Sequence, residues 1–280
     1  MKLFRHAYLL FAILWLASCD KTPEVVILPF QQTNNIAYGT DPQQKLDAYL
    51  PEGRTMDTPV VIFVHGGSWS GGDKLQYGAL MTYFSDRKIA IFNINYRLVT
   101  ATAFKHPAQI EDIQAAINFI RQKASEYQIS SEKITLAGHS AGAHLTLLYG
   151  FKYNSAKQIK AIIGLASPTD FVEAGQSGLP EFTQTIEFFL GKKYSEAQMT
   201  WQDASPYYTA TAQSVPTLLF HGQKDGTVPF GQTTKLQAKL AQLGVKNQMI
   251  LYPNEDHIWL NDNLQDTLAK MVEWVNTNGK

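Results

Sequence analysis

The sequence predicts an α/β fold: a mostly parallel, doubly wound sheet of about eight strands, with helices on both faces and a small cap-like insertion. Three observations predict it. From about residue 33 onward, short continuous apolar runs alternate with helix-like stretches, as buried parallel strands and their crossover helices do. The length, 280 residues at 45% hydrophobic, suits one large domain with an ample core. The residues suited to chemistry collect just past the ends of the apolar runs, the edge at which open parallel sheets build their sites.

The chain begins with Lys2 and Arg5, followed by an apolar run from Ala7 to Leu16 that closes on Leu16-Ala17-Ser18-Cys19. So short a run does not span roughly 30 Å of hydrocarbon as a helix, and it fits a secretory signal over residues 1–18. Leu-Ala-Ser-Cys resembles the lipobox of bacterial lipoproteins, which implies that Cys19 is the acylated first residue of the mature protein. A membrane anchor facing the periplasm or the cell surface would follow, because two or more acyl chains hold where one is marginal. Cys19 is the sole cysteine, so neither a disulfide nor a thiolate metal site forms within one chain. Residues 19–32, with Pro23 and Pro29, read as a tether, and 33–280 as the domain.

Strands are expected near 45–50, 60–64, 89–95, 133–137, 160–166, 216–220 and 247–252. Between them, Ala108 to Tyr127 carries Ile110, Ile113, Ala116, Ile117 and Ile120 at helical spacing, with Pro107 as a start signal. Phe230 to Leu243 is a second helix, closed by Gly244, and Gln265 to Val275 is the last. The rhythm breaks over 170–215. That stretch holds Phe171, Phe182, Phe188, Phe189, Trp201, Tyr207 and Tyr208 and is long for a connection. It reads as packing helices, as a cap that walls a pocket, or as both.

Gly138-His139-Ser140-Ala141-Gly142 carries the chemistry. It follows the apolar run Ile134 to Ala137 and opens a helix-like segment from Ala143. A serine hydroxyl needs exposure, aim and a neighbouring base to act as a nucleophile, and a sharp strand-to-helix turn exposes it. Such a turn brings strand and helix so close that only glycine fits at 138 and 142. Three more segments keep the same order along the chain. Val60 to Val64 runs into His65-Gly66-Gly67-Ser68-Trp69; Thr217 to Phe220 runs into His221-Gly222-Gln223-Lys224-Asp225 and Val228-Pro229; Gln248 to Tyr252 leads to His257.

With these motifs the chain resembles the α/β-hydrolase esterases and lipases, close to the hormone-sensitive-lipase-like carboxylesterases and the kynurenine-formamidase-like enzymes. The resemblance runs from Leu46 to the C-terminus and includes Leu46-Asp47-Ala48-Tyr49-Leu50-Pro51 and Asn95-Tyr96-Arg97-Leu98. Where many relatives carry a third glycine after the histidine, this chain has Ser68; a backbone N–H serves the oxyanion role equally. The resemblance implies Ser140 as nucleophile, His257 as base and acid, and Asp225 as the carboxylate that orients the imidazole. It implies an oxyanion hole made of the N–H groups of Gly67, Ser68 and Ala141. Trp69, His139 and Tyr77 are candidates to line the pocket, although an aromatic beside a loop more often serves packing. No metal or organic cofactor has a task in this chemistry.

Asp170 is the rival acid, because it follows the expected strand at 160–166; the match of His221-Gly222-x-x-Asp225-x-x-Val228-Pro229 favours Asp225. Asp256 adjoins His257 and would need a reversal to reach its own neighbour's ring. His65 and His221 read as loop braces and His106 as a helix start, and His6 is lost with the signal. His139 and His144, five apart, do not share a helical face for a metal. Basic and acidic residues number 24 each, and removal of the signal leaves 22 against 24, so no basic stripe offers a nucleic-acid footprint. The expected activity is hydrolysis of small or short-chain carboxylic esters through an acyl-enzyme. The alternatives are amide or formamide hydrolysis of the kynurenine-formamidase type and, from another class, a catalytically silent surface-binding lipoprotein.

Overall fold

Alternation along the central strands builds two cores. The computed structural model describes residues 27–177 and 179–280. The expected signal peptide and Cys19 lie outside the described residues, as does most of the expected tether. In chain order the strands are β1 (Gln31–Ala37), β2 (Lys45–Leu50), β3 (Val60–Val64), β4 (Ala90–Ile94), β5 (Ile134–His139), β6 (Ala161–Leu165), β7 (Thr217–Gly222) and β8 (Asn247–Tyr252). They form one eight-stranded sheet in the order β1-β2-β4-β3-β5-β6-β7-β8. β2 is antiparallel to both of its neighbours, and β4 through β8 run parallel.

The main crossover helices are α1 (Gly78–Ser85), α2 (Ala108–Tyr127), α3 (Ala141–Leu148), α8 (Gly231–Gln242) and α9 (Asp262–Asn278); between β6 and β7 lie α4 (Phe171–Gln176), α5 (Pro180–Leu190), α6 (Gln198–Asp203) and α7 (Pro206–Thr209). Side chains alternate across a strand. Val60, Ile62 and Val64 therefore join one core with α2, α3 and α8, while Val61 and Phe63 join the other with α1 and α9. Strand order reverses at β3, which sends the chain first to β4 and then to β5 on its other side. The crevice beyond the ends of β3 and β5 is thus the place for a site.

Two expectations change. Residues 31 and 32, assigned to the tether, open β1, which pairs with β2 through Gln31 and Leu50. Upstream of it, Arg54 donates to the Pro29 carbonyl at 2.6 Å and Gly53 N–H to that of Leu28 at 2.8 Å. β1 escaped notice because it is a polar, almost wholly exposed edge strand, with no apolar period to read. The last helix also starts earlier than expected, at Asp262, where the Asn261 side chain caps it by accepting from Asn263 N–H.

The 170–215 stretch packs with one face and walls a cavity with the other. Phe171, Phe189 and Trp201 are buried, and Phe171 and Phe189 sit against Trp69. Pro180, Phe182 and Thr185, from the first half of α5, line the cavity that holds Ser140.

Candidate active site

Ser140 stands between β5 and α3 with φ 54° and ψ −121°, a backbone state that non-glycine residues rarely adopt and that clusters at functional sites. The close approach that requires glycine is real and has two directions. A Cβ on Gly138 would lie 2.5 Å from the Gly142 carbonyl carbon. A Cβ on Gly142 would lie 2.1 Å from the Val64 carbonyl oxygen, so Gly142 is demanded by the neighbouring strand β3 rather than by its own turn. The turn therefore aims the hydroxyl and holds α3 against the end of β3.

His257, on the loop after β8, meets Ser140. Its Nε2 lies 2.9 Å from Ser140 Oγ and its Nδ1 lies 2.8 Å from Asp225 Oδ2. The carboxylate accepts, so Nδ1 carries the proton and Nε2 is left to accept from the serine hydroxyl. The three side chains named from the sequence are in one hydrogen-bonded line. Asp225 Oδ1 accepts from Thr227 and Val228 N–H, both at 2.8 Å. Burial opposes its charge. The hydrogen bonds from His221 and His257, the His257 charge and the Val228 N–H outweigh that and hold the carboxyl well below the usual carboxylate range.

Sequence reasoning gave His221 only a loop-bracing role, yet it also touches this line. Its Nε2 is 3.0 Å from Asp225 Oδ2, the same oxygen that His257 uses, and 3.0 Å from the Val228 carbonyl. Both neighbours are acceptors, so Nε2 carries a proton; Nδ1 lies 2.6 Å from Thr233 Oγ1. The signal in the sequence is the spacing: His221 starts the same short segment that ends in Asp225. Asp256 accepts from the N–H groups of Gly226 and His257, bracing the acid loop against the base loop. Asp170 turns elsewhere, capping α4 through Glu173 N–H at 2.9 Å and pairing with Lys235 at 2.5 Å.

The loop after β3 borders the same cavity as the serine. Gly67 has φ 119°, and a Cβ there would lie 2.3 Å from the Gly71 carbonyl oxygen; Ser68 and Trp69 also have positive φ, at 53° and 62°. The Gly67 carbonyl accepts from Ser70 and Gly71 N–H, which folds the loop back on itself. Ala141 is the first residue of α3, so its N–H lies outside the helix ladder. Ser68, Trp69, Ser140 and Ala141 all border one cavity of about 510 Å³. Trp69 is anchored from behind, its Nε1–H donating at 3.2 Å to His144 Nδ1, while His144 Nε2–H donates at 2.8 Å to the Ala204 carbonyl. Burial pushes His144 down to about 3, so it stays neutral in that role.

His139 and Tyr77, candidates for the same pocket as Trp69, are not there; both border a second cavity, of about 350 Å³, which His257 also lines. The reason for His139 is strand alternation: one residue before Ser140, its side chain leaves the opposite face of the chain. There it ties three segments together. His139 Nε2–H donates to the His257 carbonyl at 2.9 Å, Tyr77 Oη–H donates to His139 Nδ1 at 3.0 Å, and Gly66 N–H donates to Tyr77 Oη at 3.3 Å. Burial, then the charge of His257, pushes His139 down to about 4, so the ring is neutral and its tautomer is set. Among the described residues, no group of His, Cys, Asp and Glu is arranged to hold a metal ion.

With this geometry in view, the profile of the BD-FAE family matches residues 46–240, more than half of the chain. The chain belongs to the BD-FAE family. That family is one of α/β-hydrolase esterases. The chain is 28% identical over 263 residues to the "Probable isoprenylcysteine alpha-carbonyl methylesterase ICMEL1" of Arabidopsis thaliana, covering 87% of this chain and 55% of that protein. It is 27% identical over 219 residues to "Esterase LipC" of Mycobacterium tuberculosis, covering 73% of this chain and 54% of that one. The chain thus spans about half the length of these two relatives. Among solved structures, a "Truncated form of carbohydrate esterase from gut microbiota" superposes with a TM-score of 0.75 at 20% identity, over 88% of this chain and 97% of that one. An esterase from the Planctomycetes species Thermogutta terrifontis superposes with a TM-score of 0.71 at 21% identity, over 86% and 90%. These likenesses give the BD-FAE chain the α/β-hydrolase fold.

Proposed function

We propose that the protein is a serine hydrolase of small carboxylic esters, with Ser140, His257 and Asp225 as its catalytic residues. One observation carries the reading: the strained Ser140 is hydrogen-bonded to His257 Nε2 while Asp225 holds Nδ1. The names of the relatives, esterases and a carboxylic ester hydrolase among them, support the same class.

As Ser140 Oγ bonds to the ester carbonyl carbon, its proton passes to His257 Nε2. The imidazolium that forms is stabilised by Asp225, which stays ionised throughout. The N–H groups of Gly67, Ser68 and Ala141 stabilise the negative oxygen of the tetrahedral intermediate, each such donor being worth about 3 kcal/mol in the transition state. When the carbon–oxygen bond to the alcohol breaks, His257 Nε2–H supplies the proton to the departing oxygen. Water, deprotonated by the same nitrogen, then attacks the acyl-serine, and the acid leaves as Ser140 recovers its proton. The test is turnover of p-nitrophenyl acetate together with labelling by a fluorophosphonate. Both are expected in the native protein and neither in Ser140→Ala; turnover that survives in Ser140→Ala overturns the reading.

Anchoring through Cys19 belongs to the same proposal, resting on the Leu16-Ala17-Ser18-Cys19 sequence. Expression of the full chain in a bacterium is expected to put the protein in the membrane fraction. Cys19→Ser is expected to release it or leave it unprocessed, and a Cys19→Ser protein processed and anchored as before overturns the anchor.

A further inference from the structure

Ser140 and His257 open onto different cavities. Ser140 and Ala141 face the larger one, whose other wall is the Leu179–Thr185 stretch and the Gly226–Val228 loop. His257, whose Nε2 meets Ser140 Oγ, also borders the smaller one, which lies between α1 and α9. Its floor is Phe63 and Leu165, and its sides are Leu80, Leu264, Leu268 and Met271. Ile258 and Leu260 stand at its rim, 62% and 81% exposed, although they directly follow or closely neighbour His257 in the chain. The larger cavity has polar groups within its walls, among them Ser68, Glu181, Thr185 and Thr227; the smaller is mostly apolar, with Gln76, Tyr77, His139 and Thr267 as its other polar residues besides His257.

An ester has two arms, and the chemistry assigns them to sides. The acyl carbon bonds to Ser140 Oγ, so the carbonyl oxygen must sit among the amides of the larger cavity. The alcohol oxygen must reach His257 Nε2, because that nitrogen delivers the proton as the carbon–oxygen bond breaks. The alcohol arm therefore departs on the side where His257 is. We infer that the apolar cavity beside His257 is the binding site for the alcohol arm of the ester, and that it selects an unbranched or ring hydrocarbon alcohol of modest size. This rests on the esterase reading above. A volume of about 350 Å³ is at the lower end for ligand pockets, and such pockets are mostly apolar. Ile258 and Leu260, now in water, would be covered by the bound alcohol.

The experiment uses the full chain with two ester series that share methyl acetate: acetates of methyl, butyl and hexyl alcohol, and methyl esters of acetic, butanoic and hexanoic acid. Each methylene that leaves water for the cavity is worth at most roughly fourfold in kcat/KM. From methyl to butyl acetate, kcat/KM is expected to rise at least about tenfold, mostly through KM, with a smaller rise along the acyl series. Leu264→Trp, which fills the cavity from α9, is expected to flatten the alcohol series while the acyl series keeps its slope. Leu80→Trp does the same from α1 and stands in if the first variant fails to fold, as judged by thermal unfolding. An alcohol series that is flat in the native protein overturns the inference, as does a native slope that survives in a folded Leu264→Trp or Leu80→Trp. Hydrolysis of none of the esters would overturn the esterase reading itself, and this inference with it.

Discussion

Two carboxylates follow neighbouring strands, Asp170 after β6 and Asp225 after β7, and both side chains are wholly enclosed. Their surroundings differ. Asp170 faces a helix end and the ammonium of Lys235, whose charge is permanent at neutral pH. Asp225 faces two imidazoles and two amides. A carboxylate matched to a fixed cation has its charge already answered and serves packing. A carboxylate facing neutral rings can stabilise a positive charge that exists only during a reaction. Position after a strand qualifies both residues; what each one faces separates them.

The sharpest way to break the comparison is to neutralise each acid in turn. Asp225→Asn is expected to lower kcat by about 10⁴-fold, because the imidazole loses the partner that fixes its tautomer. Asp170→Asn is expected to leave kcat within about threefold and to destabilise the fold by about 1 kcal/mol, since asparagine still caps a helix. Steady-state kinetics and thermal unfolding check both. A larger kinetic loss in Asp170→Asn inverts the comparison.

His221 refines it. A hydrogen bond to a charged group is worth about 1.5–3 kcal/mol, so His221→Leu is expected to lower kcat by roughly 10- to 100-fold. The split between kcat and KM is the decisive readout: His221 and His257 share Asp225 Oδ2, so kcat is expected to fall with KM little changed. A ring that only braced the loop would lower the melting temperature and leave kcat where it was.

The histidines outside the line make a third contrast. Burial pushes His106 and His139 each down to about 4, and His144 to about 3. For such depressed groups the folded state is favoured above the unfolded value of about 6.5, where none of them binds a proton. As pH falls below that, the unfolded chain takes up protons that the folded one refuses, and stability declines until the folded values are reached. Each contributes up to about 1.4 kcal/mol per pH unit. The melting temperature is therefore expected to fall steadily from pH 6.5 to 4, and a flat profile over that range would show that the rings are not held neutral. A smaller effect on kcat than those of Asp225→Asn and His221→Leu is expected of Tyr77→Phe. It removes one link between the Gly66, His139 and His257 segments, lowering kcat about two- to tenfold with KM little changed.

How much was legible in the sequence varied with the kind of force involved. The elbow was readable because steric exclusion between a strand and the helix it turns into is local at Gly138, whereas Gly142 is held to glycine by β3, far away in the chain. The central strands were readable because burial on both faces leaves continuous apolar runs, as in β3 and β6. β1 was not, since an exposed edge strand is held by backbone pairing to β2, which any polar residue can supply. The direction of His139 and the contact of His221 with Asp225 were missed for another reason. Each depends on a partner far along the chain or across a turn, and residue type alone does not say which of several acceptors a ring will meet.

From the chain alone came the order of the functional segments and the doubly wound α/β class, because each follows from short-range sterics, periodicity or residue chemistry, while the resemblance to known esterases pointed to Ser140, His257 and Asp225. Tertiary structure alone decided which aspartate the imidazole reaches, which side of the loop His139 takes, and that Ser140 and His257 look into separate cavities of unlike polarity. Those outcomes are set by how β3, β5, β7 and β8 stack side by side, and that juxtaposition brings together atoms more than a hundred residues apart.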